Sequence, residues 1–210
     1  MPGYIEAILK RFRHPHPIKP ELAPHRYVSR SFSADNAQTP IPDDNIACLN
    51  SSGVLRLKLV VGCIIYYSRA IDSPLLPSLT EISSDQAKAT EETLAATKKL
   101  LDLVTTLPDA VIWYVSSDMC LWIDSDTSFA SICNARSRVG GFFYLSSYPS
   151  KIPKHHDPSL NVPIFVLCRR MKMFLSSAAE AEYGGIFINF KEGVPIHTTL
   201  PELGHNQALG

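Results

Sequence analysis

The stretch Met119-Cys120-Leu121-Trp122-Ile123-Asp124-Ser125-Asp126 decides how this chain is read. An apolar run leads into two acids separated by one residue. Aromatic and β-branched residues fit a pleated, half-buried surface, so the run predicts a strand. Side chains alternate along a strand, which puts Asp124 and Asp126 on one face and Ser125 on the other. Neighbouring carboxylates repel when taken out of water, and a divalent cation relieves that cost. The same residues also fit a strand that simply ends, with both acids exposed in a turn.

Working outward, Val111-Ile112-Trp113-Tyr114 is also strand-like. The intervening Ser116-Ser117-Asp118 predicts a turn, and so a hairpin with residues 119–123. Residues 140–145 and 163–167 read as further strands, and Met173-Phe174-Leu175 as a continuation of the last. A helix then opens at Ser176-Ser177-Ala178-Ala179-Glu180-Ala181-Glu182. Ser177 followed three residues later by Glu180 resembles a capping box. This helix is expected to run to about Lys191, with Pro195 near its end. Acids in a first turn are favoured by the helix dipole alone. Yet an acidic strand followed by an acidic helix is also an order in which two carboxylates can meet around magnesium. That ion takes oxygen ligands and keeps several waters. Two such ions close together activate a water against a phosphodiester.

The 210 residues suffice for one large domain or two small ones. A hydrophobic fraction of 45% and a charged fraction of 19% are globular values. Lys plus Arg equal Asp plus Glu at 20 each, which argues against a strongly basic nucleic-acid module. The five cysteines, Cys48, Cys63, Cys120, Cys133 and Cys168, are odd in number and lack C-x-x-C spacing. They read as reduced thiols of an intracellular protein, in the cytoplasm or nucleus. No signal peptide is legible and no apolar run approaches a membrane span.

Toward the N-terminus, Ile5, Ile8, Leu9 and Phe12 have helical spacing and predict a short helix over Tyr4–Phe12. Pro15, Pro17 and Pro20 end it, and a Pro-rich linker runs to about residue 50. His14, His16 and His25 fall in that tail and read as solvated. The basic surplus there, interleaved with Tyr4, Phe12 and Tyr27, could touch a nucleic-acid backbone or stay solvated. Residues 57–67 are apolar enough for a buried helix, and Leu75, Leu76, Leu79 and Ile82 suggest another. Thr90 is a candidate N-cap with Glu91 and Glu92 behind it. Leu94, Leu101 and Val104 mark one face of the helix that follows, which ends near Pro108. His155-His156-Asp157 and the pair Asp43-Asp44 read as loop.

Several strings together resemble one family. Ile123-Asp124-Ser125-Asp126, followed by Ala135-Arg136-Ser137-Arg138-Val139-Gly140-Gly141-Phe142-Phe143-Tyr144-Leu145, is similar to the start of the ribonuclease H domain of copia-type LTR retrotransposon Pol polyproteins. Leu175-Ser176-Ser177-Ala178-Ala179-Glu180-Ala181-Glu182-Tyr183 resembles that family's "SS-x-x-EAEY" helix start. Gly3-Tyr4-Ile5-Glu6-Ala7-Ile8-Leu9-Lys10-Arg11-Phe12 resembles the segment that follows the reverse-transcriptase palm. Val61-Gly62-Cys63-Ile64-Ile65-Tyr66-Tyr67 resembles its "VG-x-x-x-Y" segment, and residues 90–107 its connection helix. The order and approximate spacing agree over nearly the whole chain.

The resemblance implies an α/β chain: a helical connection-like region followed by an incomplete ribonuclease H-like mixed sheet with one main helix. It implies an N-terminal helix and Pro-rich linker over residues 1–53, the connection-like region over 54–108, and the partial ribonuclease H-like domain over 109–210. The parent activity is hydrolysis of RNA in RNA–DNA hybrids, with Mg2+ as cofactor and the remainder of the Pol polyprotein as partner. Asp124 corresponds to the first catalytic, metal-binding aspartate, and Glu182 to the helix glutamate, with Glu180 the alternative. Asp126 corresponds to an acid that is more often structural. The family's third acid is an aspartate on a later strand, and no aspartate follows Glu182 here. The expectation is therefore a fragment that is inactive alone. A remnant that binds nucleic acid or protein without catalysis is the other reading.

Overall fold

The computed structural model describes residues 1–24, 47–132, 136–148, 151 and 158–207. Tyr27, His25, Asp43, Asp44, Cys133, Ala135, His155, His156 and Asp157 lie outside them. The chain divides into two units, Met1–Val111 and Ile112–Gly210.

In the first unit, helix α1 (Tyr4–Phe12) turns Ile5, Ile8 and Phe12 inward, as their spacing predicts. Arg13 ends it in a left-handed conformation at φ 50°. Helix α2 (Ser51–Ala70) extends beyond the expected 57–67 at both ends; at its start the Asn50 side chain accepts the Gly53 N–H and caps it. A 3-10 turn (Ser73–Leu75) leads into α3 (Leu76–Asp85). Thr90 caps α4 (Glu91–Thr106) reciprocally with Thr93: each side chain accepts the other's backbone N–H. The buried face of α4 is Thr93, Thr97, Leu100, Leu101, Leu103 and Val104, and the expected Leu94 is only half-buried.

Leu57, Ile64, Tyr67, Leu79, Leu100 and Val104 form the centre of one apolar cluster, and Ile5, Ile8 and Phe12 belong to it. Helix α1 therefore shares a core with α2–α4, although the sequence separates residues 1–53 from 54–108. The start of the Pro-rich tail is also tied down. The His14 N–H donates to the Leu9 carbonyl at 2.9 Å. Its ring nitrogen Nε2 lies 2.7 Å from Asp102 Oδ1 on α4, with the His14 side chain 5% exposed. Further on, Glu21 donates its N–H to Thr106 Oγ1 and takes Lys99 Nζ at 2.6 Å. The expectation of a solvated His14 is corrected: the turn at Arg13 carries it onto α4.

In the second unit, β1 (Cys120–Ile132), β2 (Arg136–Ser146) and β3 (Pro163–Arg170) form a sheet in the order β1-β2-β3. The α/β class is present. Where a mixed sheet was expected, both pairings are antiparallel. The expected hairpin of 111–114 with 119–123 is absent, and β1 pairs with β2 instead. Val111, Trp113 and Tyr114 are exposed and outside any strand. Val115 directs its N–H and carbonyl to the Asn161 side chain, and Met119 sits at φ 61°, which breaks extended backbone just before β1. Strand β3 stops at Arg170, so Met173 and Phe174 do not continue it; the Arg136 guanidinium covers the Phe174 ring.

Helix α5 (Ala178–Glu202) runs well past Lys191 with Pro195 and Pro201 inside it. Proline removes one helical N–H but does not by itself stop a helix that has tertiary support. Buried Leu200 supplies that support, and the Thr198 and Thr199 hydroxyls donate back to the Pro195 carbonyl. The unit's buried apolar cluster is small: Val139, Phe143, Leu167 and Met171. Among the described residues no helix is long and apolar enough to cross a membrane.

Candidate metal centre on β1 and α5

Strand alternation and the docking of α5 fix which way each β1 side chain points. A Cβ built on Gly185 would lie 2.1 Å from Thr127 Oγ1, and one on Gly193 would lie 2.5 Å from Ile123 Cδ1. Asn189 Nδ2 donates to Ser125 Oγ at 2.7 Å and to the Gly140 carbonyl at 2.9 Å. Ile123, Ser125 and Thr127 thus face α5. Ascending α5 meets descending β1, so the two elements run in opposite directions.

Asp124 and Asp126 share a face, as the alternation predicts, but it is the face turned away from α5. They stand opposite Phe142 and Gly140 in the register with β2, and both are exposed. Glu182 lies on α5, exposed, next to the inward-turned Ala181. Along the helix it precedes Asn189, the residue level with Ser125, by seven residues, or about 10 Å of rise. Asp124 and Glu182 are therefore separated both along α5 and through the sheet.

Glu180 has a different role. Its Oε2 accepts the Ser176 N–H and the Ser176 hydroxyl, each at 2.7 Å, while its own N–H donates to Ser177 Oγ at 3.1 Å. The capping box reaches back to Ser176 rather than to Ser177. The hydroxyl and amide bonds from Ser176 hold the Glu180 carboxyl below its ordinary range. Asp118, just before β1, is likewise lowered, by Lys151 Nζ at 2.7 Å and the Tyr148 N–H.

Magnesium requires oxygens that converge in a near-octahedral shell. Asp124 and Glu182 do not converge, so the pair does not fit one shared ion. Among the described residues no group of three His, Cys, Asp or Glu side chains could hold a metal.

What α5 does bring to β1 is a polar seam that the sequence reading missed. Asn189 is fully buried, and its Oδ1 and the Thr127 hydroxyl have no partner. A Cβ on Gly141 would lie 2.0 Å from Asn189 Oδ1. The helix approaches the sheet this closely because Ala181, Gly185, Asn189 and Gly193 recur every four residues along its inner face. That spacing was legible and is the signal that could have located the seam.

Tyr4 and Phe12 of the N-terminal segment also turn inward. Phe12 is buried, and the Tyr4 hydroxyl donates to the Cys63 carbonyl at 3.1 Å. No family model, curated protein or solved structure matches this chain.

Proposed function

We propose that the chain is a fragment of a copia-type retrotransposon Pol polyprotein, covering the reverse-transcriptase connection region and the N-terminal part of a ribonuclease H-like domain. The parent element works inside the cell, in the cytoplasm or nucleus, on RNA–DNA hybrids with Mg2+. The supporting observation is the order of elements in the second unit. An antiparallel β1-β2-β3 meander is followed by one long helix laid back along β1. The family-like strings fall on β1, on β2 and at the start of that helix.

This fragment does not hydrolyse hybrids by itself. The reason is geometric: α5 presents Gly185, Asn189 and Gly193 to β1, and Asp124 looks out of the opposite face. The check is release of labelled RNA from an RNA–DNA hybrid in magnesium. The wild-type chain should give no more product than Asp124→Asn. Clear cleavage that disappears in Asp124→Asn would overturn the inactive-fragment reading.

A further inference from the structure

Helix α5 is apolar on both sides. Its inner face meets the sheet, while Tyr183, Ile186, Phe187, Phe190 and Val194 form a second stripe on the outside, at spacings of three and four. Tyr183 is 76% exposed, Phe187 69% and Phe190 66%. Isolated exposed apolar residues need no explanation, but a continuous stripe of this size marks an interaction surface. We infer that this outer face of α5 joins two copies of the chain in an antiparallel, two-fold symmetric pair. The inference does not depend on the retrotransposon reading.

Two observations favour a second copy as the occupant. The first is area. An aromatic side chain buries roughly 150–250 Å² when fully covered, so the three exposed rings offer about 400 Å² on one copy. With Ile186 added, two facing stripes bury about 1,000 Å², the low end for a specific interface and the range of pairs that dissociate on dilution.

The second observation is charge. Glu180 and Lys191 are eleven residues apart, three helical turns plus about 20°, so both lie along one flank of the stripe about 16 Å from each other. A two-fold axis across the helix brings like flank to like flank with the chain direction reversed. With the axis near Ile186, Glu180 of each copy stands beside Lys191 of the other. Ile186 and Phe187 then meet at the centre, and Tyr183 and Phe190 interleave on either side. The Ser176 bonds to Glu180 hold one end of this pair in position.

The experiment is sedimentation velocity on the full chain over a dilution series. The expected species at high concentration has twice the mass of one chain and dissociates on dilution. Phe187→Glu should weaken association about tenfold or more. Its far-ultraviolet circular dichroism should stay that of the wild type, because the residue faces outward. Lys191→Glu should also weaken association, by placing like charges together. The double variant Glu180→Lys/Lys191→Glu should associate more tightly than either single variant. A chain that is monomeric at every concentration would overturn the proposal, as would a dimer indifferent to Phe187→Glu. A double variant no tighter than its parents would overturn the antiparallel pairing.

Discussion

The two units fill their interiors by opposite means. The first is closed by bulk: Leu57, Ile64, Tyr67, Leu79 and Leu100 from three helices are almost fully buried together. The second closes the gap between α5 and the sheet largely by leaving side chains out. Gly141, Gly185 and Gly193 allow close approach, and the fully buried Asn189 bridges what remains. Burying apolar area contributes about 25 cal/mol per Å², and that accumulates over a large core. A glycine-lined contact gains little from area and depends on fit instead. The difference teaches that the first unit should lose stability when buried methyl groups are removed, while the second should lose it when a single methyl group is added.

Paired core variants would break or sharpen that contrast most. Ile64→Ala deletes buried methyl groups and leaves a cavity, at a cost of about 2–5 kcal/mol. Gly141→Ala adds a single methyl group 2.0 Å from Asn189 Oδ1 and 2.9 Å from Phe143 Cε2, between two fully buried side chains with little room to give. Overpacking of this kind costs about 1–3 kcal/mol. Because each unit has its own core, each variant should lower the unfolding transition of its own unit. Thermal unfolding followed by near-ultraviolet circular dichroism and limited proteolysis separates them. A Gly141→Ala chain with an unchanged second unit would mean that α5 is not seated as closely as its glycines indicate.

Asn189→Ala tests the polar half of the same contact. Removing the amide leaves Ser125 Oγ and the Gly140 carbonyl without their donor. A buried group stripped of its partner costs about 1–3 kcal/mol. Asn189 Oδ1 is itself unsatisfied in the folded chain, which offsets part of that loss. The expected destabilisation, read from urea unfolding, is therefore near 1 kcal/mol, at the low end of that range. A stabilised variant would mean that the orphaned oxygen outweighs both bonds.

Local signals made much of this fold legible. The spacing of Ile5, Ile8 and Phe12 gave α1, while Thr90 and Ser177 marked two helix starts through caps that involve only their near neighbours. Non-local pairing was not legible. Val111 to Tyr114 had the composition of a strand and no partner to ladder with, while Arg136 to Ser146 found two. Helix α5 outran its prolines because Leu200 is buried in the fold, which no window around Pro195 reveals. At the candidate site, the shared face of Asp124 and Asp126 was readable from alternation. Which side of the sheet that face occupies was not, because it depends on where α5 docks. The four-residue recurrence of Ala181, Gly185, Asn189 and Gly193 marks the face of α5 that docks, and not the side of the sheet that receives it.

The smallest expected effect separates the units by pH. Asp72, at the 3-10 turn after α2, is half-buried with no side-chain capping bond, and burial raises its carboxyl above the ordinary 3.8. For an acid with a raised folded pKa, the neutral form is the one the fold prefers. Its contribution is fully present below 3.8 and is lost as pH rises through the folded value. Glu180 and Asp118 of the second unit have the opposite sign, since their lowered values help above the ordinary range and are lost in acid. Asp72→Asn keeps the shape and removes the charge. It should raise the Tm of the first unit at about pH 7, leave it unchanged at about pH 3, and move the second unit at neither. A lower Tm at neutral pH would show that the Asp72 carboxylate has a favourable partner in the fold, and the burial account of its raised pKa would fail.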